Sequence, residues 1–250
     1  MADLEFFDMH LSIGRPRGPQ FHIAPDIKTL KDELVPLGIT GGLVKHSLSL
    51  EAHPSIGNAE IVSALAGSAD YMPVWAVLPH WTGEFPAPEE LVRQMARSHV
   101  RAVVMYPAQH SFSLRDSVVG RLFDMLARLK VVLLLPQPQA AFAAVEELSR
   151  HWPSLPVVLI DVGHTMAREL YPTLAACPNV YVETSTYMVH RGIEDLCAKF
   201  GPQRLLFGSR YPYYNPGAAV AALQYARIPD QAKTLIASGN ANVLLGEVKL

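Results

Sequence analysis

Residues 131–136 read Val-Val-Leu-Leu-Leu-Pro, a continuous apolar run that stops at a proline. An amphipathic stretch follows at Gln139–Arg150, and a second apolar run occupies Val157–Ile160. A strand that is apolar at every position is typically buried on both faces, as the strands of parallel sheets are. The order of strand, helix and strand therefore predicts a crossover unit of an α/β fold.

The same alternation continues through the whole chain. The predicted strands are Phe6–His10, Gly42–Val44, Met72–Leu78, Ala102–Met105, Val131–Leu135, Val157–Ile160, Val180–Glu183 and Leu205–Phe207. The predicted helices are Asp26–Leu37, Pro88–Ser98, Asp116–Leu129, Gln139–Arg150, Met166–Ala176 and Gly192–Phe200, with Pro229–Leu245 as an extra closing helix. Eight strands in a chain of 250 residues predict a single-domain (β/α)8 TIM barrel over residues 1–250. A doubly wound open sheet is the structural alternative.

The composition argues against several classes of protein. Half of the residues are hydrophobic, and 23 acidic against 21 basic side chains give a net charge of −2. A chain without a basic surplus does not resemble a binder of nucleic acid or of an anionic membrane. Cys177 and Cys197 are too few for a disulfide framework, and the acidic segment Met1–Asp8 does not resemble a signal peptide. We expect a cytoplasmic protein, with a homodimer as the commonest form of oligomer.

Histidines concentrate at one end of the predicted barrel. Eight of the ten histidines end a predicted strand or follow one, namely His10, His22, His46, His53, His80, His110, His164 and His190. Active sites of (β/α)8 barrels lie in the loops at the carboxyl ends of the strands. The distribution therefore predicts a ligand site at this end. The alternative is that long polar loops carry histidines without a function.

Five motifs resemble the amidohydrolase-related branch of the amidohydrolase superfamily, a group that includes aminocarboxymuconate semialdehyde decarboxylase and pyrone dicarboxylate lactonase. They are Phe7-Asp-Met-His-Leu-Ser, Pro156-Val-Val-Leu-Ile-Asp-Val-Gly-His, Pro178-Asn-Val-Tyr-Val-Glu-Thr-Ser, Arg204-Leu-Leu-Phe-Gly-Ser-Arg-Tyr-Pro and Ile236-Ala-Ser-Gly-Asn-Ala-Asn-Val-Leu-Leu-Gly. These motifs correspond to the first, sixth, seventh and eighth strands and to the closing helix. The resemblance implies a hydrolase, lactonase or decarboxylase that acts on a small organic acid.

The resemblance also implies a divalent metal, usually held by His-x-His on strand one, a histidine from strand five or six and an aspartate on strand eight. In this chain His10 keeps the first histidine, whereas Ser12, Asp161 and Arg210 stand at other ligand positions. A guanidinium about 4 Å from a divalent ion would repel it by roughly 8 kcal/mol at an effective dielectric of about 20. We therefore predict no metal cofactor, with zinc or another divalent metal as the less favoured alternative.

Asp161 and Arg210 are predicted to form an ion pair across the mouth of the barrel, because alternate strands share one layer of side chains. The pair could simply plug the barrel. Alternatively, Arg210 binds a carboxylate or phosphate of the substrate, and His10, His164 or Asp161 transfers protons. The candidate catalytic residues are therefore His10, Asp161, His164 and Arg210.

Candidates for substrate binding come from the other loops at the same end, and packing is the alternative interpretation of each. They are His46, His80, Glu84, His110, Tyr187 and Tyr211. We predict that His10, His80 and His110 line one cavity. The function predicted from the sequence is an enzyme acting on a small, anionic substrate. The alternative is a catalytically inactive barrel that binds a metabolite or a partner.

Overall fold

A computed structural model describes residues 4–250 of the chain. Within this range eight parallel strands form a sheet in sequential order. The strands are β1 (Phe6–Ile13), β2 (Ile39–His46), β3 (Tyr71–Ala76), β4 (Ala102–Val104), β5 (Val132–Pro136), β6 (Val157–Ile160), β7 (Val180–Glu183) and β8 (Leu205–Leu206). Met1–Asp3, which belong to the segment interpreted as unlike a signal peptide, lie outside the described residues.

The first strand meets the last one through backbone hydrogen bonds. Met9 N donates to Phe207 O at 3.0 Å, and Ser12 N donates to Tyr211 O at 3.0 Å. The sheet is therefore rolled into a nearly closed barrel, and the prediction of a single-domain (β/α)8 TIM barrel is confirmed. The alternative of an open sheet is wrong.

Helices connect the strands in the order that a (β/α)8 barrel requires. They are α1 (Ile27–Leu34), α2 (Leu48–Glu51), α3 (Pro54–Ala64), α4 (Pro88–Arg97), α5 (Asp116–Leu129), α6 (Phe142–His151), α7 (Ala167–Ala176), α8 (Gly192–Phe200), α9 (Pro216–Gln224), α10 (Asp230–Thr234) and α11 (Asn240–Gly246). A π-helical turn, Leu235–Gly239, joins α10 to α11. None of the helices in residues 4–250 is both long enough and apolar enough to cross a membrane.

The sequence analysis missed α2, α3 and α9. The buried face of α3 consists of Pro54, Gly57, Asn58 and Ile61, of which only two are large apolar residues. The α9 helix is rich in alanine around its whole circumference. Neither segment shows the apolar stripe by which a helix is recognised in a sequence.

Side chains fill the interior of the barrel. The interior cluster contains Phe7, Met9, Leu43, Val74, Ala76, Ala102, Val104, Tyr106, Val132, Leu134, Val158, Ile160 and Leu206, and α11 adds Ala241, Leu244 and Leu245 to it. Arg101 Nη1 also donates to the carbonyl oxygen of Leu245 at 3.0 Å. The closing helix therefore seals the amino-terminal end of the barrel, opposite to the end that carries the polar side chains.

Alternation along the strands determines which polar side chains point into the mouth. In β2, Leu43 belongs to the interior cluster and Val44 to the larger cluster between sheet and helices. Successive side chains of a strand point to opposite faces, so Lys45 lies on the interior side. In β7, Val182 belongs to the outer cluster, and Glu183 therefore also points inward.

Candidate active site

His10 lies inside β1 and not at its end as predicted, because the strand continues for three more residues. The pairing of β1 with β2 shifts register between Asp8 and Leu11. Such irregularities re-aim side chains and occur next to active sites. Here Met9 packs in the interior cluster, while the next side chain, His10, reaches across to Glu183.

Asp8 is fully buried and joins the first strand to the segment that follows the last one. Its Oδ1 accepts a hydrogen bond from His10 N at 2.8 Å, and its Oδ2 accepts one from Ser209 N at 3.0 Å. Burial raises the pKa of Asp8 to about 6, although these hydrogen bonds act in the opposite direction. Asp8 therefore has a structural hydrogen-bonding role beside His10.

Glu183 is the direct side-chain partner of His10. Its Oε2 lies 3.1 Å from His10 Nδ1, and both side chains are buried. The same Oε2 accepts a hydrogen bond from Ser185 Oγ at 2.8 Å, and Oε1 accepts one from Ser185 N. Glu183 therefore fixes the orientation of the His10 ring.

Burial governs the protonation of this pair. It raises the pKa of Glu183 to about 8, because the charged carboxylate is disfavoured away from water. Burial also lowers the pKa of His10, and the positive charges of Lys45 and Arg210 lower it further. An uncharged His10–Glu183 pair is therefore favoured at neutral pH.

The predicted ion pair between Asp161 and Arg210 is formed, from Arg210 Nε to Asp161 Oδ1. It is a charge contact without the alignment of a hydrogen bond. The side chains of Arg210 and Asp161 are 28% and 17% exposed, so the pair stands at the rim and is not deeply buried. Both residues adopt left-handed backbone conformations, with φ of 56° and 57° respectively. Such conformations are uncommon for residues other than glycine and cluster at functional sites.

Aromatic rings hold the Arg210 guanidinium in place. Its central carbon lies 4.9 Å from the ring centroid of Tyr214 and 5.5 Å from that of Tyr213. Distances of this size allow cation–π attraction. On the interior side, burial raises the pKa of the Tyr106 hydroxyl, and the negative charge of Asp161 raises it further. Tyr106 therefore remains neutral next to this ion pair.

Lys45 is the cation that the sequence analysis missed, although a charge at the end of the apolar run Gly42–Val44 could have indicated it. Its side chain is partly exposed. Burial lowers the pKa of Lys45 to about 8, with Arg210 lowering it further and Asp161 and Glu183 opposing the shift. Among residues 4–250, no ion pair within 4.0 Å and no hydrogen bond engages its Nζ.

A cavity of about 950 Å³ opens between the loops that follow β2, β3 and β4, and its lining includes His53, Glu84, His110 and Arg115. Two candidate residues, Glu84 and His110, are therefore brought together there. The prediction that His10, His80 and His110 share one cavity is wrong, because neither His10 nor His80 lines this one. The reason is that Asp8 and Glu183 enclose His10 within the barrel.

The remaining histidine candidates occupy local positions in the loops. His46 Nδ1 accepts a hydrogen bond from Leu48 N at 3.2 Å. The ring of His80 stacks on Trp81 with centroids 4.7 Å apart. His164 is exposed in the turn after β6. Within the described part of the chain, no hydrogen bond or ion pair joins these three residues to the His10–Glu183 pair.

The tyrosine candidates are buried and do not face the mouth. Tyr211 is completely buried in the outer cluster. Tyr187 also belongs to that cluster, and its hydroxyl pairs with the hydroxyl of Tyr171 at 3.4 Å. Both rings are used in packing in this structure, and a role of Tyr187 and Tyr211 in substrate binding stays a prediction. Their neighbours Tyr213 and Tyr214 contact Arg210 instead.

The sequence profile of the amidohydrolase family matches residues 8–246, and the chain belongs to this family. A search of curated proteins found no match. Similar solved structures include a 2,6-dihydroxybenzoate decarboxylase from Rhizobium (15% identity, 97% of this chain and 99% of that chain covered, TM-score 0.74). They also include a dihydroxybenzoic acid decarboxylase from a Polaromonas species and a 5-carboxyvanillate decarboxylase from Novosphingobium aromaticivorans (each 12% identity, 97% of both chains covered, TM-score 0.73). Identities this low show the common fold alone.

These neighbours correct the prediction that there is no metal cofactor. The decarboxylases from Polaromonas and Novosphingobium contain bound manganese. The prediction gave too much weight to repulsion by Arg210, whose charge is partly balanced by Asp161 and by the tyrosine rings. Among residues 4–250, however, no three His, Cys, Asp or Glu side chains form a group that could hold a metal ion. His10 and Asp161 thus do not complete a donor set, and we assign no chemical step to a metal.

Proposed function

We propose that this amidohydrolase-family barrel is an enzyme that acts on a small organic acid, whose carboxylate binds to Arg210. The observation that carries the proposal is the excess of positive charge at the mouth. Two cations, Arg210 and Lys45, interact there with Asp161, while burial favours the neutral form of Glu183. The ion pair engages Nε of Arg210, so its Nη atoms remain as donors for a carboxylate.

Decarboxylation is the reaction that we favour over hydrolysis or lactone opening. Solved structures with the same fold include decarboxylases of dihydroxybenzoate and 5-carboxyvanillate. Loss of carbon dioxide requires a proton at the carbon that loses it, and a positioned acid accelerates such a transfer. His10 and Asp161 are the groups beside Arg210 that would move this proton. His164, exposed on its turn, is less suited to that role.

A catalytically inactive barrel is the second candidate, and the Asp161–Arg210 contact itself favours it. A carboxylate of the chain already occupies one side of the guanidinium. Such a pair would plug the mouth if no substrate displaced it or bound beside it. Binding of a carboxylate without turnover would distinguish a metabolite-binding barrel from an enzyme.

The first prediction concerns Arg210. Calorimetric titration with benzoate and 2,6-dihydroxybenzoate, in buffer with and without manganese, should show binding to the wild-type protein. Arg210→Met should weaken it by at least about tenfold, because a hydrogen bond between charged groups contributes roughly 1.5–3 kcal/mol. Arg121→Met is the matched control, since Arg121 is an exposed residue of α5 paired with Glu89.

The outcomes separate the two roles of Arg210. If it binds substrate, Arg210→Met loses carboxylate binding and unfolds at the same urea concentration as the wild type. If it only balances Asp161, no carboxylate binds to the wild type, and the variant loses about 1.5–3 kcal/mol of stability. Release of carbon dioxide from the bound acids then tests for turnover.

A cytoplasmic location, a homodimer and the lack of nucleic-acid and membrane partners remain part of this proposal. The small acidic excess of the chain supports the expectation that it binds neither nucleic acid nor a membrane. Light scattering on the protein as it elutes from a size-exclusion column would test the oligomeric state.

A further inference from the structure

Lys45 lies near the carboxyl-terminal end of a strand, the end at which (β/α)8 barrels carry their active sites. It is the second-last residue of β2 and pairs in register with Ser12 of β1. The alternation of Leu43 and Val44 directs its side chain to the interior. Lys45 therefore projects into the carboxyl-terminal mouth, where (β/α)8 barrels perform their chemistry.

The Lys45 amine is surrounded by charges but is not bound to any of them. Arg210, Asp161 and Glu183 all act electrostatically on it, and its own charge acts on His10. Yet neither an ion pair within 4.0 Å nor a hydrogen bond holds Nζ among the side chains and backbone of residues 4–250. A structural lysine in this position would be expected to be paired. This one is partly exposed and free to react.

We propose that Lys45 is a Schiff-base lysine, which condenses with the carbonyl group of an oxo acid whose carboxylate lies on Arg210. The inference rests on the proposed function, since Arg210 positions the substrate. A lysine becomes a better nucleophile when burial or a nearby cation lowers its pKa, and both the partial burial of Lys45 and the charge of Arg210 act on it in this direction. The substrate class is thereby narrowed to acids that carry a ketone or aldehyde.

The chemistry balances without an oxidant or a reductant. The neutral Lys45 amine forms a C–N bond to the carbonyl carbon, and the resulting hydroxyl group leaves as water after taking a proton from the solvent that reaches the partly exposed amine. In the protonated imine of a 3-oxo acid, the electron pair of the bond to the carboxylate moves towards nitrogen, and carbon dioxide is released. The enamine carbon takes a proton from water, and a second water molecule hydrolyses the imine to return ketone and amine.

Reductive trapping tests this assignment. The full-length protein would be incubated with acetoacetate and sodium borohydride. Its intact mass would then be measured by mass spectrometry, and the modified residue would be located by peptide mapping. We expect one adduct, on Lys45, at least about tenfold above the labelling of exposed Lys28. Near pH 7.5 a pKa of about 8 in place of 10.5 leaves roughly a hundredfold more neutral amine. Lys45→Arg should abolish the adduct, whereas Lys28→Arg should retain it.

A neutral aldehyde separates this inference from the proposed function. Propanal has no carboxylate, so it should still label Lys45 above Lys28 in Arg210→Met, at a lower level than in the wild type because the positive charge that lowers the pKa of Lys45 is lost. If organic acids do not bind but propanal labels Lys45 selectively, the role of Arg210 is wrong and the reactive lysine stands. If organic acids bind through Arg210 but neither carbonyl compound labels Lys45 above Lys28, the Schiff-base assignment is overturned. Circular dichroism of each variant confirms that the fold is retained.

Discussion

At the scale of single residues, Asp8 shows how one buried carboxylate supports the site. It binds the backbone N–H groups of His10 and Ser209, which come from the two ends of the barrel sheet. Neither N–H group has a partner in a regular strand ladder, because His10 lies at the register shift of β1 and Ser209 lies beyond the end of β8. The carboxylate therefore satisfies groups that would otherwise be buried and unpaired.

Replacing Asp8 by alanine should destabilise the protein strongly. Two buried N–H groups would lose their acceptor, at about 1–3 kcal/mol each, so we expect a loss of about 2–6 kcal/mol in urea unfolding. Asp32→Ala is the control, because Asp32 is an exposed partner of Lys28 on α1, and its loss should cost less than about 0.5 kcal/mol. Equal losses in the two variants would show that water replaces the Asp8 carboxylate.

At the scale of elements, the closing helix and the first strand shape opposite ends of the barrel. The α11 helix supplies apolar side chains that fill the amino-terminal end of the barrel. The register shift in β1 makes room for a polar pair at the other end. The closing motif was recognised in the sequence by its resemblance to the family, but its contribution to the interior cluster is a tertiary feature.

We expect Leu245→Ala to lower the free energy of unfolding by about 2–5 kcal/mol, as is usual when a buried leucine is cut to alanine. Leu245 is 2% exposed and belongs to the interior cluster. Val243, on the same helix, is 60% exposed, so Val243→Ala should change stability by less than about 0.5 kcal/mol. Urea unfolding of both variants measures the difference. A small effect of Leu245→Ala would mean that α11 does not seal the barrel.

At the scale of the whole molecule, a slightly acidic protein carries a locally cationic mouth. The net charge is −2, yet Arg210 and Lys45 stand together where most acids are either neutral or paired. The barrel achieves this by burying Glu183, which favours its neutral form. Charge at the site is therefore a product of tertiary burial and not of overall composition.

Binding of benzoate should weaken as the pH rises from about 7 to about 9. Lys45, with a pKa of about 8, is charged below this value and neutral above it, so its attraction for the anion is lost on the alkaline side. For a partly exposed charge we expect a change of roughly fivefold, equivalent to about 1 kcal/mol. Calorimetry across this range should show a weaker affinity with a smaller pH dependence in Lys45→Met, the remainder arising from Glu183, whose pKa is also about 8, and the unaltered pH dependence in Lys130→Met. An identical pH profile in Lys45→Met would assign the titration to another group.

The sequence by itself determined the barrel, because apolar runs of strand length and their alternation with helices are local properties of the chain. It also indicated the Asp161–Arg210 pair, since barrel symmetry relates strands six and eight without knowledge of side-chain detail. The neutral His10–Glu183 pair and the free amine of Lys45 were decided only by the tertiary structure. Their properties depend on burial and on a register shift in β1, and both arise from contacts between residues far apart in the chain. The same reason explains why Tyr211 packs in the core while Tyr214 contacts Arg210.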